Sequence, residues 1–106
     1  MAKFLVMVSY TLDGAKGLRK EGGTSREQAA RSLVESVGGK LEAFYFTFGH
    51  HDAIAIADLP NAAAAAGMSL SVAASGAARC QTTPLITPAE MDHAASVKTA
   101  YRAPGQ

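Results

Sequence analysis

Tryptophan is absent from this 106-residue chain, and cysteine occurs once, as Cys80. A single cysteine excludes an internal disulfide framework and suits a reducing compartment, so we expect a cytoplasmic protein. No apolar run approaches the roughly 18 residues that a membrane span requires, and we expect no membrane partner. The N-terminal Met1–Phe4 leads directly into strand-like sequence, without the long apolar core of a signal peptide.

An excess of charge of either sign is also lacking, because 10 Lys and Arg stand against 9 Asp and Glu. A net charge of +1 argues against a nucleic-acid partner, which usually requires a strong basic excess. The length suits one domain, and 48% hydrophobic residues are typical of a globular chain. We expect residues 1–106 to form one domain, with a core over about 3–87 and a C-terminal helix and tail over 88–106.

Four segments have the residue types of β-strands: 4–11, 40–48, 53–57 and 77–86. The first is apolar at alternate positions of both faces, which predicts a central strand. The second and third flank the turn Gly49–Asp52 and predict a β-hairpin. Pro84 cannot donate to a strand ladder, so the fourth strand is predicted at a sheet edge.

Alternation predicts which side chains of the hairpin share a face. In the second strand, one face is predicted to carry Phe44, Phe46 and Phe48, and the other Leu41, Ala43, Tyr45 and Thr47. In the third strand, Ile54 and Ile56 face one side and only alanines face the other.

Three helices are predicted between and after the strands. The first begins at a capping box, Thr24 with Glu27, carries an apolar stripe and ends at Gly38-Gly39. The second begins near Pro60 and ends near Gly76. Thr87 caps a third, short helix from Glu90 to about Thr99. The glycine-rich residues 12–23 are predicted to form a loop, with room for a single helical turn.

The predicted order β-α-β-β-α-β with a terminal helix is that of a ferredoxin-like α+β fold. Right-handed crossovers place both central helices on one face of a four-stranded antiparallel sheet, with the first and third strands in the middle. The other face still carries apolar residues, which is unusual for a soluble monomer. We therefore expect a second copy of the chain to cover it, in a homodimer or larger assembly.

Short motifs follow one another in a defined order along residues 3–87. They are Arg26 at a helix start, Gly38-Gly39-Lys40-Leu41, Thr47-Phe48-Gly49, Asp52, Asp58-Leu59-Pro60, and Arg79 with Thr82-Thr83 after Gly76. Together they resemble the GYD domain family, whose members belong with the dimeric α+β-barrel proteins. The resemblance implies that fold and a dimeric association, but no settled activity and no catalytic residues. His51 stands where the family pattern has a Tyr before the Asp.

The turn Gly49–Asp52 is the first candidate for chemistry. His50, His51 and Asp52 are of the types that bind zinc and other transition metals, and His93 is the remaining histidine. Adjacent residues of an extended chain point to opposite sides, so His50 and His51 do not readily share one ion. The favoured interpretation is a turn in which Gly49 has a positive φ and Asp52 accepts hydrogen bonds from backbone amides.

Other polar residues are of types that bind ligands or transfer protons. Tyr10, Tyr45, Arg26 and Arg79 could orient an anionic or carbonyl-bearing ligand if the sheet lines a pocket. Asp52 and Asp58 bracket the third strand; Asp52 is a candidate acid or base, and Asp58 is predicted at a helix start. Cys80 is predicted to be a small buried side chain.

Three functions from different classes fit these residues. The leading hypothesis is a homo-oligomeric protein that binds a small ligand between sheet and helices, in an accessory or regulatory role. The second, by analogy of fold alone, is a cofactor-independent monooxygenase or isomerase in which His51, Asp52 and Tyr10 handle a proton. The third is a structural subunit of an assembly. The sequence assigns no cofactor and does not name the ligand.

Overall fold

The computed structural model describes all residues, 1–106, and contains four strands and four helices. The strands are β1 (Ala2–Tyr10), β2 (Lys40–Phe46), β3 (Ala53–Leu59) and β4 (Ala78–Leu85). The helices are α1 (Leu12–Glu21), α2 (Gly23–Ser36), α3 (Ala62–Ala74) and α4 (Pro88–Ala95). None of the four helices is both long and apolar enough to cross a membrane.

The strands form one antiparallel sheet in the order β2-β3-β1-β4. The prediction that the first and third strands are central is confirmed, as is the edge position of the strand that contains Pro84. Helix α2 packs on β2, and α3 packs on β4 and β3. The chain therefore has the predicted ferredoxin-like α+β fold, with one additional helix between β1 and α2.

The core lies between the sheet and α2 and α3. Its buried members are Phe4, Val6, Val34, Leu41, Ala55, Ala57, Leu59, Ala65 and Met68. The opposite sheet surface, which we call the open face, is covered by no helix. Paired positions on this face carry Leu5, Met7, Ile54, Ile56 and Tyr45. The predicted division of β3 into an alanine face and an isoleucine face is confirmed, with the alanines on the helix side.

The prediction of a loop over residues 12–23 is wrong, because most of this segment is α1. The hydroxyl of Thr11 accepts a hydrogen bond from the Gly14 amide and caps the helix. The same hydroxyl donates to the carbonyl of Gly76 at 2.7 Å, and the Thr11 amide donates to Ala77. These tertiary bonds hold the first turn, and the helix buries no side chain. The loop prediction failed because it rested on the glycines of this segment, which are poor helix formers but do not prevent a helix here.

The predicted capping box at Thr24 is also wrong. Helix α2 begins at Gly23, its cap is Gly22 with φ of 86°, and no side chain caps it. Since α1 leads directly through Gly22 into α2, the helical turn has already begun before Thr24. The predicted end is confirmed, because Gly38 has φ of 84° and the amides of Gly38 and Gly39 bond back to the last turn.

A β-bulge overturns part of the predicted alternation in β2. Leu41 pairs with Ala57 but Ala43 pairs with Ile56, so Glu42 is the extra residue. The bulge turns Leu41 to the helix side, where it is 3% exposed, rather than to the side of Tyr45. Strand β2 ends at Phe46 instead of Phe48, and Phe48 is fully exposed.

Two further boundaries differ from the predictions. Strand β3 continues to Leu59, so Asp58 lies in the sheet and pairs with Lys3 at 3.1 Å instead of standing at a helix start. Asn61 is the cap of α3. The capping box of Thr87 and Glu90 is confirmed, but α4 covers Pro88–Ala95 rather than Glu90 to Thr99.

Candidate functional site

A cavity of about 440 Å³ lies between the sheet and helices α2 and α3. Its wall is mostly apolar and includes Val6, Val8, Leu33, Phe44, Met68 and Val72. The space exists for two reasons: Ala55 and Ala57 of β3 fill little volume, and α2 and α3 pack on different strands rather than closely on each other. Two of the three alanines that the sequence placed on one face of β3, Ala55 and Ala57, therefore form the floor of a cavity.

Polar groups occur at a few points of this wall. Tyr10 at the end of β1 and Arg26 in the first turns of α2 both line the cavity, together with Ser71, Ser75 and Cys80. Burial raises the pKa of the Tyr10 phenol, the nearby Arg26 charge opposes this rise, and the Asp52 charge adds to it. The phenol is thus a neutral hydrogen-bonding group at neutral pH. A second contact of Arg26 is an ion pair with Glu21, at 3.5 Å.

Cys80 lies half-buried in β4 and lines the cavity. Burial raises the pKa of its thiol, because the thiolate loses hydration in an apolar wall. We expect iodoacetamide to alkylate Cys80 more slowly than a cysteine peptide at mildly alkaline pH, with its pH–rate profile displaced upward. Unfolding in urea is expected to remove the difference. Equal rates in the native protein and the peptide would contradict this assignment.

Asp52 fastens the β2–β3 hairpin to the end of β1. Its carboxylate accepts a hydrogen bond from the Tyr10 amide at 2.8 Å, and its own amide donates to Val8 at 2.8 Å. The prediction that Asp52 accepts from a backbone amide is confirmed, whereas Gly49 does not have the predicted positive φ. Asp52 and Tyr10 also line a second depression of about 510 Å³ beside α1.

The structure separates His51 from the ring of Tyr10. The Nδ1 atom of His51 lies 3.3 Å from the hydroxyl of Ser9, which belongs to the open face, while Tyr10 lines the cavity on the other side of the sheet. The role of His51, Asp52 and Tyr10 in proton transfer stays a prediction, and this arrangement does not bring the three into one cavity.

The remaining candidates are similarly divided. Tyr45 lies on the open face and is 67% exposed, and Arg79 pairs with Ser9 on that same face. The rings of His50 and His51 meet edge to face at 4.9 Å, and His93 is exposed on α4. No group of three or more His, Cys, Asp or Glu side chains is arranged to hold a metal ion.

The sequence prediction grouped Tyr10 and Arg26 with Tyr45 and Arg79 but missed three polar residues of the cavity wall. These are Ser71 of α3, Ser75 at the C-cap of α3 one helical turn later, and Cys80, which was predicted to be a small buried side chain. Their spacing with Val72 was a signal that this side of α3 faces the sheet, because residues four apart lie on one side of a helix.

The fold is that of a ferredoxin-like α+β protein, and a mainly apolar cavity lies under its helices. A family model described as the GYD domain matches residues 4–95, and the chain belongs to the GYD domain family. No curated protein and no solved structure matches the chain.

Proposed function

We propose that this GYD domain protein is a cytoplasmic homo-oligomer that binds a small, mainly apolar ligand in the cavity under α2 and α3, in an accessory or regulatory role. The observation that carries the proposal is the cavity itself. Its volume of about 440 Å³ falls within the range of small-molecule sites, and its wall combines many apolar side chains with a few polar ones.

The ligand is proposed to carry an anionic or carbonyl group at the end near Arg26. The guanidinium donates hydrogen bonds but does not accept them, and the neutral Tyr10 phenol can donate one more. Glu21 already pairs with Arg26, so an incoming anion would compete with this carboxylate. The expected gain from the charge is therefore modest compared with that from burial of the apolar body.

Homo-oligomerisation is supported by the open face. Leu5, Met7, Ile54 and Ile56 remain partly exposed there, next to Tyr45. A contiguous apolar patch of this kind usually marks an interaction surface. A second copy of the same face is a suitable occupant, because an isologous interface needs only one self-complementary surface.

Two fluorescent probes test the ligand. N-phenylnaphthylamine is neutral, and anilinonaphthalene sulfonate has a similar aromatic body with a negative charge. We expect each to bind the native protein saturably at one site per chain. Arg26→Gln is expected to lower the affinity for the sulfonate probe by about three- to tenfold, the effect of losing a partly exposed charge pair. The affinity for the neutral probe should not change.

Native mass spectrometry of untagged protein, beside the denatured mass, reads the oligomer and any retained ligand. A mass of two or more whole chains supports the oligomer, and excess mass begins to identify the ligand.

In the probe titration, Arg31→Gln is the matched control for the loss of charge in Arg26→Gln. Arg31 is an exposed arginine of the same helix and pairs with Glu27. Absence of saturable binding of both probes would contradict the cavity site, and a monomer at all concentrations would contradict the oligomer.

A further inference from the structure

The last segment of the chain makes no hydrogen bond or ion pair with the rest of the molecule. We call residues 86–106 the C-terminal arm. Its hydrogen bonds all join partners within the arm, and α4 packs closely against no other element. More than half of each of its large apolar side chains is exposed: Ile86, Met91, Val97 and Tyr101.

Local sequence nonetheless specifies the helix of this arm. Thr87 and Glu90 form a reciprocal capping box, and Pro88 stands in the first turn. These hydrogen bonds lower the pKa of Glu90. An isolated helix of eight residues is marginal in water even with good caps, because the first turn is costly to nucleate. The arm is therefore built to be helical but lacks the packing that normally stabilises so short a helix.

The arm also extends away from the body of its own chain. The radius of gyration is 16.8 Å and the longest dimension is 57 Å. A compact domain of this length has a radius of gyration of about 13 Å. The arm follows the edge strand β4 and keeps its large apolar side chains exposed instead of packing them on its own chain.

The open face alone is small for a stable interface. Four strands about 4.8 Å apart and roughly seven residues long present on the order of 450 Å² in projection. A specific protein–protein interface buries about 800 Å² on each partner. Accessible area exceeds the projection because it follows the side chains, so the open face alone lies near the low end of stable interfaces. The arm follows the edge strand β4 and would add exposed apolar surface to such an interface.

We propose that the C-terminal arm of each copy packs against the body of a second copy, beside the open face, and completes the interface between them. The apolar residues Met91 and Val97 supply the contact. The arm of one chain is thereby ordered by the other. This inference rests on the oligomer of the proposed function but not on its ligand.

Sedimentation equilibrium of the full chain over a concentration series tests the arm. We expect the double variant Met91→Asp/Val97→Asp to raise the dissociation constant of the oligomer at least tenfold. Tyr45→Asp on the open face is expected to raise it as well. Leu70→Asp is the control, since Leu70 is at least as exposed as the test residues, at 71%, but lies on α3; it should leave the dissociation constant unchanged. Circular dichroism checks that each variant is folded.

Hydrogen exchange of the α4 amides distinguishes an arm that docks on a second copy from an arm that docks on its own chain. Protection that rises with protein concentration in the wild type and is lost in Tyr45→Asp supports docking on a second copy. Protection that is independent of concentration and is retained in Tyr45→Asp would mean docking on the same chain and would overturn the proposal. An oligomer weakened by Tyr45→Asp but not by the arm variant would also overturn it, leaving the oligomer intact. A monomeric wild type would overturn both, while probe binding would still decide the ligand separately.

Discussion

Gly14→Ala is expected to lower the free energy of unfolding by about 1–3 kcal/mol, the usual range for overpacking. A Cβ atom at Gly14 would lie 1.8 Å from the carbonyl oxygen of Ala77 and 3.2 Å from the Tyr10 ring. The carbonyl belongs to backbone that starts β4, so it cannot rotate away as a side chain would. The first turn of α1 must move instead, and the bonds of Thr11 to Gly76 and Ala77 are expected to break with it.

Gly17→Ala is the matched control for this prediction. Gly17 lies in the same helix, and a Cβ atom there would meet nothing within 4 Å. Alanine in a helix interior is expected to stabilise by roughly 0.5–1 kcal/mol relative to glycine. Urea unfolding of both variants provides the measurement. Equal effects of the two substitutions would show that α1 does not contact the start of β4 as described.

Two leucine substitutions in β3 are expected to separate packing from ligand binding. Ala53 and Ala55 both face the helices, but Ala53 is fully buried and does not line the cavity, whereas Ala55 does. Ala53→Leu is expected to destabilise by about 1–3 kcal/mol, because there is no space for the added carbons. Ala55→Leu extends into the cavity, so its free energy of unfolding should change by less than about 1 kcal/mol.

The two substitutions should have effects of the opposite order on probe binding, with Ala55→Leu now having the larger effect. Ala55→Leu occupies volume that the ligand needs, and its affinity for N-phenylnaphthylamine is expected to fall at least tenfold. Ala53→Leu, measured under conditions where it remains folded, should keep the wild-type affinity. A loss of affinity in both variants, or in neither, would place the probe outside the cavity. Urea unfolding and fluorescence titration of the two proteins provide both readouts.

The side chains of the open face could be predicted from the sequence, whereas the cavity could not. Alternation assigned Leu5 and Met7 to one face of β1, and Ile54 and Ile56 to one face of β3, because the side-chain period of a strand is two. The pairing of β1 with β3 then puts these four side chains on one surface of the sheet. The cavity could not be predicted, since its volume depends on how far apart α2 and α3 pack. The same alanines of β3 would be compatible with helices lying directly against the strand.

The candidate residues illustrate the same limit. Tyr10 and Arg26 were considered together with Tyr45 and Arg79, but only the first two line the cavity. Tyr45 and Arg79 lie on the other face of the sheet, at positions set by the strand register. The bulge at Glu42 reassigns Leu41 to the helix side, and a shift of one residue is enough to exchange faces.

The sequence by itself determined the strand order, the edge position of β4, the division of β3 into small and branched faces, and the capping box of α4. The strand order follows from the order of the elements and the right-handed crossovers. The other three depend on local chemistry: the missing amide of Pro84, alternation, and reciprocal hydrogen bonds between Thr87 and Glu90. Tertiary structure decided the position of α1 against the start of β4, the bulge in β2 and the volume of the cavity. These depend on contacts between segments far apart in the chain, such as Thr11 with Gly76, and no local pattern encodes such contacts.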